Sequence, residues 1–276
     1  MRHGIEHDQF VLDYQPIISL RSGRPIGVEA LLRWNHPDQG RLMPDDFIAL
    51  AEQTGLITPL TSFAVQRALT DFRPPLGQTA SRPAGPPVRP LSIAVNVSPR
   101  TLHDTSFPAR MASMLESHGA APGTVTLEIT ENLIMSDPDR ARLCPTELHE
   151  LGVCLTVDDF GTGYSSLSYL RRLPVDGLKI DKSFVIGLAN GEDDALVLSI
   201  IDLAHNLRLT VVAEGVEKEA VRDRLIAMGC DAAQGHFLSH PGPAADTKRW
   251  VAQQVAFWVQ ISQCSGRVSP GNGWAA

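Results

Sequence analysis

Eight runs rich in Val, Ile and Leu recur along the chain, at residues 10–19, 25–34, 91–98, 124–130, 153–160, 177–181, 209–216 and 231–239. Short apolar runs bounded by turn residues predict strands. Most of the gaps between them carry apolar residues at helical period. The clearest predicted helix starts at Phe107, with Pro108 near its first turn and Gly119 just past its end. Alternating strands and helices predict an α/β fold with a parallel sheet, and eight strands predict closure into a TIM-like barrel. The first link breaks the pattern. Only the five residues LRSGR separate the first two runs, whereas a parallel crossover needs about a dozen. The expected fold is therefore a modified TIM (β/α)8 barrel with the first strand antiparallel.

Strands buried on both faces should be apolar throughout. Nearly every run here instead carries a polar residue near its C-terminal end: Glu29, Asn96, Glu128, Asp158 with Asp159, Lys179, Glu214 and Gln234. An unpartnered carboxylate inside a barrel costs on the order of several kcal/mol, so cations are expected to gather these acids. The C-terminal mouth of a barrel is also where active sites sit. Taken singly, each acid reads equally well as a cap or turn residue; the set as a whole points to a site. Carboxylate and amide oxygens, with no His or Cys beyond His236, suit Mg²⁺ or Mn²⁺ rather than Zn²⁺. Adjacent Asp158 and Asp159 would repel each other if bare. Two metals about 3.5–4 Å apart, sharing one carboxylate, resolve that repulsion and form the usual apparatus of phosphodiester hydrolysis. Lys179 is placed to orient the attacking water. Ca²⁺, with its looser oxygen shell, is expected to occupy such a site without supporting turnover.

Composition narrows the partners. The 276 residues carry a net charge of −7, a field that disfavours a nucleic-acid polymer and leaves any phosphate to local cations or metal. Cys144, Cys154, Cys230 and Cys264 fall in no metal-ligand spacing and read as small buried hydrophobes of a reducing compartment. No apolar leader or membrane-spanning segment is legible, so the expected location is the cytoplasm. The nine histidines are scattered and read as solvated or structural. Residues 73–90 are rich in proline and predict an exposed loop. The expected organisation is one domain over 1–250 and a C-terminal helix and tail over 251–276.

The motifs then come in order: YQPI from Tyr14, EALLRW from Glu29, NVS from Asn96, EITE from Glu128, DDFGTGYSSLSYL from Asp158, LKID from Leu178, AEGVE from Ala213 and QG at Gln234. This series resembles the EAL family of c-di-GMP phosphodiesterases, over about residues 10–241. The resemblance implies hydrolysis of c-di-GMP to pGpG by a homodimer. It implies that Glu29, Asn96, Glu128 and Asp158 bind a first metal, and that Asp158, Asp159 and Glu214 bind a second. Lys179 would contact the hydrolytic water and Arg33 would grip a phosphate. Gln15 and Gln234 would contact substrate or support the site. Glu131 would steady the DDFGTG loop, which in the family joins metal binding to dimerisation. His236 and His240 stand where the family commonly has an aromatic and a lysine. Two rival readings remain: a catalytically inactive EAL domain acting as c-di-GMP receptor or interaction module, and a barrel enzyme of enolase-like metal chemistry.

Overall fold

All eight expected strands form, and they close into a barrel. A computed structural model of the chain describes residues 1–72, 91–131, 143–162 and 170–264; the proline-rich loop and the end of the tail lie outside these residues. The strands are β1 Phe10–Ser19, β2 Pro25–His36, β3 Gly40–Leu42, β4 Ser92–Val97, β5 Val125–Thr130, β6 Cys154–Phe160, β7 Gly177–Ile180, β8 Thr210–Ala213, β9 Ala232–Ala233 and β10 Gly242–Pro243. From β2 through β4 to β9 every neighbouring pair is parallel. β1 closes the ring, antiparallel to both β2 and β9. The short first link has the expected consequence, because it is long enough only for a hairpin.

Three details depart from the sequence reading. β3 and β10 were not expected; at three and two residues they are too short to carry a period, and they form by pairing with β2 and β1. The last expected strand, 231–239, shrinks to Ala232–Ala233, and a loop carries the rest. The helix Ala244–Cys264 spans residue 250, with Thr247 and Val251 buried; Thr247 Oγ1 donates to the carbonyl of Tyr14 on β1. Farther along that helix, Phe257 is exposed.

The main core lies between the strands and their helices. Val28, Val95, Leu127, Leu155, Leu178 and Val211 are at most 2% exposed, each contributing about 1.5–3 kcal/mol by burial. Helix Ile57–Asp71 adds Ala64, Val65, Ala68 and Leu69 to this core. The predicted helix forms as Phe107–His118 and stops at Gly119, whose φ of 61° is the left-handed cap conformation. A smaller cluster of Phe10, Trp34, Phe47, Ala51, Ile57 and Leu60 packs beside it. Among the described residues no helix is long and apolar enough to cross a membrane.

Candidate metal centre

Strand alternation brings the polar set together. On β2, Glu29 and Arg33 lie four residues apart and so share a face. On β1 the register sets Gln15 opposite Glu29 and Val11 opposite Arg33. Asn96 pairs with Glu128 across β4 and β5. Lys179 lies on β7, and Glu214 directly follows β8.

At the centre is the ammonium of Lys179, 1% exposed. Its Nζ lies 2.9 Å from Glu128 Oε2, 3.4 Å from Asp158 Oδ1 and 3.5 Å from Glu29 Oε2, and it also contacts Glu214 Oε1. Asn96 Nδ2 donates to Glu29 Oε1 at 2.8 Å, and Gln234 Nε2 to Glu29 Oε2 at 2.6 Å. Gln15 Nε2 donates to the Ser239 carbonyl, tying β1 to the loop after β9. That loop depends on Gly235: a Cβ there would come within 2.2 Å of the Val216 backbone, so only glycine lets the chain turn with Gln234 facing inward.

A regular strand would send Asp158 and Asp159 to opposite faces. The register of β6 on β7 slips by one residue between Val157 and Phe160, and Asp159 takes a φ of 53°. This bulge swings both carboxylates toward Glu214, and the three have ligand oxygens within 4.8 Å of one another. Asp is one of the few residues that accepts the left-handed conformation at modest cost. Immediately beyond, Gly161 N donates to Glu131 Oε2 at 2.9 Å, which fixes the start of the following loop; residues 163–169 of that loop, Gly163 among them, lie outside the described residues.

Two acids that the sequence reading passed over also belong here. Asp13 is 9% exposed and accepts from Arg33 Nε at 3.1 Å and from Arg41 Nη2 at 2.6 Å. It lies two residues before Gln15 on the reversed strand, so the period of two was its only signal. Asp181, the cap of helix Lys182–Leu188, adds its charge beside Asp159.

The charge is unbalanced, with one ammonium facing four carboxylates. Burial would lower the Lys179 ammonium, but its acid neighbours, Glu128 first, raise it well above its ordinary range. Burial and then the Glu29 charge hold Glu128 far above the usual carboxylate range. Burial raises Glu214 to about 7, and burial with Asp158 and Asp181 raises Asp159 to about 6. Glu29 goes the other way: burial opposes it, but Lys179 and the amides of Gln234 and Asn96 prevail. Glu128 Oε2 and Gln234 Oε1 are buried without a well-directed hydrogen bond. Unsatisfied oxygens and excess negative charge fit a site for hard divalent cations.

The raised carboxyls set a sign for pH. Protonated, they favour the metal-free fold, a contribution fully present below their unfolded values near 4 and lost as pH rises through about 6 to 7. Divalent ions require the ionised forms, so binding releases protons. The thermal stabilisation by Mn²⁺ is therefore expected to grow from about pH 5.5 to about pH 8. Melting curves with and without Mn²⁺ check this; a stabilisation independent of pH would contradict it.

The family model of the EAL domain matches residues 1–241. The bifunctional diguanylate cyclase/cyclic di-GMP phosphodiesterase MucR of Pseudomonas aeruginosa is 41% identical over 246 residues, 88% of this chain and 35% of that protein. The cyclic di-GMP phosphodiesterase NbdA of the same organism is 42% identical, over 89% of this chain and 30% of that protein. The chain thus spans about a third of the length of these curated relatives. Among solved structures, the MucR phosphodiesterase in complex with c-di-GMP superposes with a TM-score of 0.81 at 39% identity, covering 89% of this chain and 97% of that one. The EAL domain of Mycobacterium smegmatis DcpA gives 0.73 at 35% identity, with coverage of 89% and 98%.

Proposed function

The chain belongs to the EAL domain family, and on that premise we propose that it hydrolyses c-di-GMP to linear pGpG in the cytoplasm. The observation that carries this reading is the cluster of Glu29, Glu128, Asp158 and Glu214 around Lys179, with Asp159 turned in beside them. An inactive receptor needs no such concentration of buried acid, which is costly unless cations use it.

Mg²⁺ or Mn²⁺ would be held by Glu29, Asn96, Glu128 and Asp158 at one position and by Asp158, Asp159 and Glu214 at a second. When bound, these ions supply polarisation of the phosphodiester and acidification of water. The protein's own groups provide orientation. Lys179, with three N–H donors on a stem locked by burial, positions the attacking water. Arg33 has Nε held by Asp13 and Nη1 by the Leu32 carbonyl, so its Nη2 edge is the part left to grip a phosphate. Gln15 and Gln234 line the same face and contact substrate or steady those that do. Glu131, through Gly161 N, holds the loop after Asp159 by which two copies would form the homodimer.

The test is direct. Purified protein incubated with c-di-GMP and Mn²⁺ is expected to yield pGpG by chromatography, Mg²⁺ to substitute, and excess chelator to abolish turnover. Ca²⁺ is expected to occupy the site without turnover, because its larger and more flexible shell does not impose compact octahedral geometry. Undiminished hydrolysis in chelator would sink the metal mechanism. Tight c-di-GMP binding with no pGpG in Mn²⁺ would instead assign a receptor.

A further inference from the structure

The first seven residues build a second cluster of metal-ligating side chains, outside the barrel site. Helix Arg2–Glu6 is anchored from one side: Gly4 is buried, and Met1 and Ile5 pack on the small core that contains Phe10 and Trp34. Gly4 lies so close that a Cβ would come within 3.0 Å of Trp34 Nε1 and 2.9 Å of Gln9 Oε1. Gln9 Oε1 in turn accepts from Trp34 Nε1 at 3.1 Å. With Met1, Gly4 and Ile5 facing inward, helical geometry leaves positions 3, 6 and 7 together on the solvent side. These are His3, Glu6 and His7, all exposed, with ligand atoms within 4.8 Å of one another.

Two features prepare these groups for a metal. The imidazoles of His3 and His7 already lie against each other, with centroids 3.7 Å apart and planes tilted by 32°. His7 Nδ1 also lies 2.8 Å from the His3 carbonyl oxygen. A carbonyl only accepts, so Nδ1 carries the proton and the lone pair falls on Nε2. A ring nitrogen fixed by a backbone carbonyl, with the other facing outward, is the arrangement that orients metal-ligating histidines. Tetrahedral coordination at bond lengths near 2.1 Å requires donor separations of about 3.4 Å, a short rotation from those present for exposed side chains.

We propose that His3, Glu6 and His7 form a surface site for a divalent transition ion of the zinc class. Two imidazoles and one carboxylate suit Zn²⁺, Ni²⁺ or Cu²⁺, whereas the barrel's all-oxygen donors suit Mg²⁺ and Mn²⁺. The two sites therefore divide by ligand chemistry. Phe10 pairs with Trp34 at the C-terminal end of β2, so the ion would clip the N-terminal helix at the same end of the barrel as the acidic mouth. This inference does not depend on the hydrolase reading.

The experiment compares Zn²⁺ titrations of the full chain and its H3Q/H7Q variant by calorimetry, both in saturating Mg²⁺. Whatever Zn²⁺ enters the barrel is common to the two, so the difference reports the surface site. Wild type is expected to bind one additional Zn²⁺, and each single variant, H3Q or H7Q, to bind it at least tenfold more weakly. Equal stoichiometry and affinity in wild type and H3Q/H7Q would overturn the proposal. Should the variants detach the helix, the wild type alone decides: the His3 and His7 ring resonances are expected to shift or broaden on Zn²⁺ addition, and unmoved resonances would overturn it.

Discussion

Asp159→Asn is expected to abolish hydrolysis while leaving the fold and the ligand site standing. Asn accepts the left-handed conformation that Asp159 adopts, so the bulge and the position of Asp158 should survive the change. What disappears is one negative charge from the group formed with Asp158 and Glu214. A cation at the second position loses a ligand charge, and kcat is expected to fall by about a thousandfold or more. Binding of c-di-GMP in Ca²⁺, measured by calorimetry, is expected to stay within about tenfold, because the change removes an interaction used in the transition state more than in the ground state. An Asp159→Asn protein that turned over near the wild-type rate would show that Asp158 and Asp159 do not divide two metals between them.

Lys179→Met carries the second large effect, and it separates a structural cation from a catalytic one. Methionine keeps the length of the side chain but leaves the buried carboxylates of Glu29, Glu128, Asp158 and Glu214 without their ammonium. Removing one partner from a buried ionic group costs about 3–5 kcal/mol, a drop of about 10 °C in melting temperature for a chain of this size. That loss is expected in chelator at neutral pH. It should shrink at lower pH, where the acids protonate, and also in Mn²⁺, which offsets their charge. Hydrolysis should not return with the stability, since neither protons nor Mn²⁺ restore a donor to orient water. Melting curves and pGpG formation, each with chelator and with Mn²⁺, provide the check. A variant as stable as wild type in chelator would remove Lys179 as the counter-ion, and full turnover in Mn²⁺ would remove its role toward water.

The barrel and most of its acids were legible because both break composition rules strongly. Doubly buried strands read as apolar runs, and a five-residue link leaves no room for a parallel crossover, so the reversed β1 followed from length alone. Carboxylates at the ends of such strands stand out because isolated burial would be prohibitive. What tertiary structure decided is finer. The one-residue slip of β6 against β7 turns adjacent Asp158 and Asp159 to the same site, and no periodicity in the sequence announces it. Asp13 joins Arg33 only because β1 runs backwards beside β2, which sets its neighbours across the hairpin. Scattered histidines became a cluster at His3 and His7 only when Gly4 and Ile5 docked on the Trp34 core and chose which face of a short helix meets solvent. Sequence patterns record the burial each residue demands, whereas register, bulges and docking depend on partners that are distant in the chain and present only once it has folded.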